Sequence, residues 1–390
     1  MLPGSLTPRL HETLVRLGTT QPSFAKASAE LAWHTGTTVH ADTARRRTEA
    51  AGALLVSHET AEATRILRAH PAAPAGPDTL LFSVDGAMVP VVGGQWKEVR
   101  TLAVGAVQPP VMGPDGPVMQ TTNLSYFSRL TDSTTFAEQA LPELQRRGIE
   151  TARRVGAVVD GAAWCQAFIE YHYPEAVRIL DLPHAAEYLT AIGQTPGADG
   201  PLLSAASQQR LRTALRHDGP EGVLMELRTL VAGQPPTPAL TTALAYLETR
   251  QAQMQYPALV ADGWPIGSGM VESANKLVVE DRLKGAGMHW AEANINPLLA
   301  LRNACCNARW DEQWSVIEQG LRQQVAVRRQ ARQGRRAATR APSLPSPPPM
   351  PVPAPTPPVA PAPSEPVAKP PHPWRRAWSI RRQCELAGAA

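Results

Sequence analysis

The chain has 390 residues, enough for two or three domains and a sizeable core, and its 43% apolar and 18% charged residues are ordinary for a water-soluble protein. The formal charge of +4 is uneven: residues 321–390 hold 12 Lys+Arg against 2 Asp+Glu, so the first 320 residues are net negative. This excludes a uniformly basic nucleic-acid binder, and the absence of an apolar run near the ~20 residues of a membrane span excludes a transmembrane reading.

Residues 6–52 read as short helices. Thr20-Gln21-Pro22-Ser23-Phe24 opens one, with Phe24, Ala27, Leu31 and Ala32 on its apolar side. A turn at Thr35-Gly36-Thr37 follows, and Val39 with the run from Asp42 through Arg45, Arg46 and Arg47 to Gly52 opens a second helix. Helix, Gly-containing turn and basic helix is the helix-turn-helix order, and the three arginines are expected to face phosphates. A helical hairpin with a solvated basic face fits the same residues. This helical segment is assigned to residues 1–70, and Pro71–Pro77 reads as a linker.

A sheet begins beyond the linker. Leu80–Val84 reads as a buried strand ending at Asp85-Gly86. Strands follow at about Val99–Val107 and Thr121–Phe127, then a helix at Phe136–Arg147. Val155–Val159 is a fourth strand, leaving through Asp160-Gly161 into a helix that carries Trp164 and Phe168. Val177–Leu180 is a fifth, ending at Asp181. Residues 184–262 read as helices broken at Pro196-Gly197, Gly219-Pro220 and Gly233–Pro238. The turn Gly267-Ser268-Gly269 should open a long helix from Met270 through Glu272, and a further helix is expected from about Trp290 to Glu318. Residues 321–390 read as a basic, disordered tail, with sixteen prolines between Pro342 and Pro373 and arginine pairs at 375–376 and 381–382. It is either merely solvated or an electrostatic tether to DNA.

Three acids stand out. A carboxylate at the end of a buried strand is costly unless paired. Asp85 and Asp160, each followed by Gly, suggest a shared divalent cation at the sheet edge, and oxygen-only ligands suit Mg²⁺ or Mn²⁺. Two such ions run in-line phosphoryl displacement on nucleic acid. The competing reading of each Asp-Gly is a simple turn. Glu272 follows the Gly-Ser-Gly turn, and Asn275 and Lys276 lie one turn further on the same side. Carboxylates gathered without cations repel, so at least one raised pKa is expected. Arg282, ten residues after Glu272, is about 15 Å along a helix and about 80° round it, too far for the same ion and placed for a flanking phosphate. The four cysteines, Cys165, Cys305, Cys306 and Cys384, form no C-x-x-C pair; Cys305-Cys306 read as buried thiols, as suits a reducing cytoplasm. Trp290 and Trp310 read as core anchors.

The segments Ser83-Val84-Asp85-Gly86, Val159-Asp160-Gly161-Ala162, Asp181-Leu182-Pro183-His184 and Gly267-Ser268-Gly269-Met270-Val271-Glu272-Ser273 resemble those of bacterial insertion-sequence transposases of the ISKra type, as does Arg282-Leu283-Lys284-Gly285-Ala286-Gly287-Met288-His289-Trp290. The resemblance spans roughly Leu80 to Trp310, with a weaker match over Leu6 to Gly52. These are DDE transposases related to the Mutator-like group. It implies an α/β fold: an RNase H-like mixed sheet over residues 78–183, an all-helical insertion over 184–262 and closing helices over 263–320, with the helix-turn-helix-like segment before and the Pro-rich tail after. In that fold the first and fourth strands are neighbours, which would bring Asp85 beside Asp160. It further implies Asp85, Asp160 and Glu272 as catalytic residues and ligands of two Mg²⁺ or Mn²⁺ ions, with Asp181, His184 and Arg282 as accessory groups. Arg45, Arg46, Arg47, Lys276 and Arg282 would touch DNA. The partners would be terminal inverted repeats and target double-stranded DNA, with a homodimer or higher oligomer on DNA in the bacterial cytoplasm at the nucleoid. An RNase H-fold nuclease without strand transfer, and an inactive DNA-binding remnant, are the alternatives.

Overall fold

The computed structural model describes residues 6–113, 116–197, 200–235 and 237–340. The expected Pro-rich stretch, its arginine pairs and Cys384 lie outside the described residues. The chain divides into two units, Met1–Gly334 and Arg335–Ala390.

Three helices open the first unit: α1 (Pro8–Thr20), α2 (Phe24–Thr35) and α3 (Ala41–Ala69). Their starts are set locally. Thr7 accepts the Leu10 N–H ahead of Pro8, Ser23 accepts that of Lys26, and Gly36 ends α2 at φ 68°. Leu14, Leu31 and Ala44 meet as their small core. Gly52 does not terminate α3. It lies inside a 29-residue helix, where a Cβ would stand 2.1 Å from the Pro297 carbonyl oxygen. The missing side chain therefore serves a close helix crossing rather than a helix end. Ala51 and Leu55 of α3 share a core with Ala300, Leu301, Trp310 and Trp314, so the N-terminal helices are built onto the C-terminal ones.

The fold is mixed α/β around one five-stranded mixed sheet. Its elements are β1 (Thr79–Pro90), β2 (Trp96–Val107), the small hairpin β3 (Val111–Gly113) and β4 (Gly116–Val118), β5 (Thr121–Arg129), α4 (Ser133–Arg146), β6 (Arg154–Val159), α5 (Ala163–His172) and β7 (Val177–Leu180). The sheet order is β5-β2-β1-β6-β7. β1 is antiparallel to β2 and parallel to β6, and β6 is parallel to β7. The period-2 alternation of β1 divides the core. Leu80, Phe82 and Val84 pack with α4 and α5, while Leu81, Ala87 and Val89 face the helices of the C-terminal half. β1 does not end at Val84 as expected. Its pairing with β6 stops at Phe82–Ala157, but pairing with β2 continues through Asp85–Thr101 to Pro90–Trp96. Asp85 thus sits in mid-strand where β1 has lost its partner on one side.

The next segment is helical: α6 (Leu182–Gln194), a two-residue-strand hairpin β8 (Pro196–Gly197) and β9 (Gly200–Pro201), α7 (Ala205–His217), α8 (Pro220–Ala232), α9 (Pro238–Thr249), a 3₁₀ turn Gln251–Met254 and α10 (Tyr256–Ala261). Then come α11 (Gly269–Ala274), a π-helical turn Asn275–Glu280, α12 (Asp281–Leu283), α13 (Glu292–Cys306) and α14 (Trp310–Arg340). Two expectations are corrected here. The helix expected from Trp290 to Glu318 breaks at Asn307–Arg309, with Ala308 at φ 55°. Residues 321–340, expected in the disordered tail, continue α14, because the proline-rich composition starts only at Pro342 and the arginines before it are good helix formers. Among the described residues no helix is long and apolar enough to cross a membrane.

Candidate active site

Asp85 is half-buried on the sheet face that packs against α11 and the π turn. Its Oδ1 accepts the Gly86 N–H over 2.7 Å, and its Oδ2 accepts Nδ2 of Asn275 over 2.8 Å. Burial raises the Asp85 pKa above the usual carboxylate range; the Gly86 N–H and the charge of His184 oppose the rise, and the charges of Asp160 and Glu272 add to it. The rise at Asp85 thus comes first from burial, with the charges of Asp160 and Glu272 as smaller contributions.

Asp160 follows β6 at the same sheet end. Its Oδ1 accepts the Ala162 N–H at 2.8 Å and the Cys165 thiol at 3.3 Å, leaving Oδ2 without a hydrogen-bond partner among the described residues. Gly161 takes φ 78°, a turn open to glycine. The helical segment holds this turn from outside. Tyr246 of α9 donates its hydroxyl to the Asp160 carbonyl, and Arg250, one turn on, donates to the Gly161 carbonyl from Nε (3.1 Å) and Nη2 (2.6 Å). The Tyr246 ring stacks on Tyr188 of α6 at 3.7 Å and 11°. Sequence reasoning missed Tyr188, Tyr246 and Arg250. The i,i+4 spacing of Tyr246 and Arg250 was visible, but nothing local tied them to Asp160.

Glu272 is exposed on the first turn of α11. Its Oε1 accepts the Ser268 hydroxyl at 3.0 Å. Ser268 in turn donates its N–H to Oδ1 of fully buried Asp181 at 2.6 Å. The other oxygen of Asp181 caps α6, taking the His184 N–H at 3.0 Å and pairing with His184 Nδ1 at 2.6 Å. Asp181 is thus at once the cap of α6 and the partner of His184. Burial works to raise the Asp181 pKa, but the hydrogen bonds from His184 and Ser268 outweigh it and the net shift is downward. The hydrogen bond to Asp181 lifts His184 to about 9 against the opposing effect of burial, with the charges of Asp181, Asp160 and Glu187 helping, so the imidazole is a cation at neutral pH.

The helix after Glu272 is not regular. Asn275–Glu280 forms a π turn, which the sequence did not foretell. Its carbonyls are taken up from α13: Arg302 donates to Leu277 and Val278, and the Cys306 thiol reaches the Leu277 oxygen at 3.8 Å. Single π turns concentrate at functional sites. Cys305 and Cys306 are half-buried rather than buried.

Other predicted residues fall elsewhere. Arg282 does not face a phosphate surface. It is 1% exposed, donates to the Gly18 carbonyl from Nε and Nη2 at 3.2 Å and to the Pro22 carbonyl, and lies over the rings of Phe24 and Trp290. Burial, aided by the charge of Arg302, lowers its pKa to about 10. The guanidinium is a clasp between α12 and the α1–α2 turn, because a planar fork satisfies carbonyls and stacks between rings at once. Arg45 is not an open cation either, since Asp42 and Glu49 pair with it at 2.6 and 3.0 Å. Arg46 is exposed and pairs with Asp42, and Arg47 lies near enough to buried His11 to add to the lowering of its pKa. Lys276 is exposed. Trp290 and Trp310 are buried anchors, bonded to the Leu283 carbonyl and to Glu12.

Among the described residues no three His, Cys, Asp or Glu side chains are gathered closely enough to hold one metal ion as they stand. The donor chemistry nevertheless suits a hard cation. Asp85, Asp160 and Glu272 offer only oxygens, and Asn275 adds a buried Oδ1 with no hydrogen-bond partner among the described residues. No protein-family model and no curated protein matches the chain.

Proposed function

We propose that the chain is a DDE transposase with an RNase H-like core, of the ISKra type, which cleaves the ends of an insertion element and joins them to target double-stranded DNA. The hydrogen bond from Asn275 to Asp85 carries this reading, since it ties the helix of the third acid to the strand of the first. The strand order supports it: β1 and β6, the first and fourth strands of the main sheet in chain order, are parallel neighbours, and Asp85 and Asp160 each lie just past the last pair between them, Phe82–Ala157.

Asp85, Asp160 and Glu272 would hold two Mg²⁺ or Mn²⁺ ions. When bound, such ions activate a water or 3′-hydroxyl and neutralise the leaving oxygen. The chain's own residues do the rest. Asp181 fixes the Gly-Ser-Gly turn so that Ser268 orients Glu272. His184, cationic and one-third exposed, can donate from Nε2 to a phosphate oxygen while Nδ1 stays on Asp181. The exposed Lys276 and Arg46 are the basic groups offered to DNA, with α2 and α3 as the helix-turn-helix-like module. A homodimer or larger assembly on the element ends, working at the bacterial nucleoid, completes the proposal.

The test is Mg²⁺-dependent cleavage of duplexes carrying the ends of the element that encodes the chain. Asp85→Ala, Asp160→Ala and Glu272→Ala should each lower cleavage by ~100-fold or more while DNA binding persists. Absence of any Mg²⁺- or Mn²⁺-dependent cleavage by the wild-type chain would sink the proposal, and hydrolysis without joining would return it to a nuclease.

A further inference from the structure

Asn275 is 6% exposed, yet it is polar at both ends of its amide and only one end is used. Nδ2 donates to Asp85 at 2.8 Å, and Oδ1 is buried with no hydrogen-bond partner among the described residues. The orientation of the amide is fixed chemically. Turned over, it would set its carbonyl oxygen against a carboxylate, two acceptors with no proton between them. A buried unpaired acceptor costs about 1–3 kcal/mol, so a residue serving only to fill space would be apolar here. Oδ1 is bonded to the same carbon as Nδ2 and therefore stands beside the Asp85 carboxylate.

The backbone around Asn275 is specialised too. It is the first residue of the π turn, three positions after Glu272. The turn's widened carbonyls are satisfied by Arg302 from α13, so its irregular shape is supported by the core. Val278 and Val279 anchor the same turn in the core beneath β1. Asn275 is thus held on a rigid element, aimed at one carboxylate and covalently tied to the helix of another.

We propose that Asn275 is a positioning residue of the candidate divalent-cation site: Nδ2 fixes the Asp85 carboxylate, and Oδ1 accepts a hydrogen bond from a water of the hydrated cation. This rests on the proposed function in taking Asp85 as a ligand. Mg²⁺ and Mn²⁺ suit the arrangement, because such ions keep part of their water shell when carboxylates bind them. Outer-shell hydrogen bonds of this kind set ligand orientation and so affinity.

The experiment uses the full chain and Mn²⁺ as probe. Its affinity is read by electron paramagnetic resonance for the wild type, Asp85→Ala, Asn275→Leu and Asn275→Ala, beside a thermal melt of each. Leu has the branching and heavy-atom count of Asn, is bulkier and removes both polar ends, while Ala removes them without added volume, so the pair brackets any packing effect. Both Asn275 variants should bind Mn²⁺ about 10- to 100-fold more weakly. The Mg²⁺ concentration for half-maximal cleavage should rise in step, with affinity for element-end DNA unchanged. A packing role alone would lower melting without moving the metal dependence. Wild-type Mn²⁺ affinity in either Asn275 variant that melts cooperatively overturns the proposal. If Asp85→Ala itself leaves Mn²⁺ affinity unchanged, the reading of Asp85 as a ligand fails instead, and the two failures are distinguished.

Discussion

The carboxylate of Asp181 accepts the backbone N–H of Ser268 at 2.6 Å, across 87 residues of sequence. This single bond joins the N-terminus of α6 to the turn that starts α11, and Ser268 passes the constraint to Glu272. Asp181→Ala should therefore act at a distance. It leaves two N–H groups and a histidine cation without their partner, and a loss of about 3–5 kcal/mol in unfolding free energy is expected. The check is chemical denaturation. A loss below about 1 kcal/mol would mean that the turn holds its shape without Asp181.

The pH dependence of stability should carry the mark of His184. Its folded-state pKa of about 9 exceeds the ordinary 6.5. Below about 6.5 both folded and unfolded forms hold the proton, and the stabilisation is fully present. As pH rises through about 9 the folded form must release a proton that the unfolded form has already lost, so stability falls. His184→Gln should flatten the decline of Tm across that window. Asp181 works at the other end: its pKa is lowered from 3.8, so its contribution is present above that value and is lost as pH falls through the lower, folded-state pKa. An equally steep decline between pH 6.5 and 9 in His184→Gln would exclude the imidazolium–Asp181 pair as its source.

Tyr246→Phe removes one hydroxyl and keeps the ring that stacks on Tyr188. The expected stability loss is about 1 kcal/mol, the net worth of one hydrogen bond. Under the proposed function cleavage should slow by ~10- to 100-fold, since the Asp160 turn loses its outer support. DNA affinity should be unchanged. A stable variant cleaving at the wild-type rate would show that Arg250 alone suffices to hold the turn.

Arg282→Ala should destabilise by about 2–4 kcal/mol, because it strands the Gly18 carbonyl and empties the slot between Phe24 and Trp290. Arg282→Lys keeps a charge but not the planar fork, and it should fall between Ala and wild type. Thermal melts settle the order. If both variants melt like the wild type while DNA binding drops, Arg282 is a DNA contact and not a clasp.

Gly52→Ala should cost about 1–3 kcal/mol, because its Cβ meets backbone of α13 that cannot turn aside. Gly222→Ala in α8 is the control: nothing stands within 4 Å of its Cβ, and the change should be neutral or stabilising by up to about 1 kcal/mol. Equal melting of the two variants would contradict the close crossing of α3 and α13.

The sequence by itself determined what depends on neighbours along the chain. Short apolar runs marked the five main strands, and Ser23 and the Pro and Gly breaks set helix starts and stops, because capping and φ preferences act within three or four residues. It also marked Asp85, Asp160 and Glu272, each next to glycine or a glycine-rich turn. The tertiary structure alone decided where partners come from distant segments. β1 runs on past Asp85 because β2 supplies its hydrogen bonds. Arg282 is buried because Gly18, Pro22, Phe24 and Trp290 close round it. Arg45 is the opposite case, since Asp42 and Glu49 that pair with it lie within one helical turn on α3 and were legible in the sequence. The π turn at Asn275 has no signature in propensity; Arg302 of α13, distant in sequence, takes up its Leu277 and Val278 carbonyls, and Asp85 of β1 holds the Asn275 side chain.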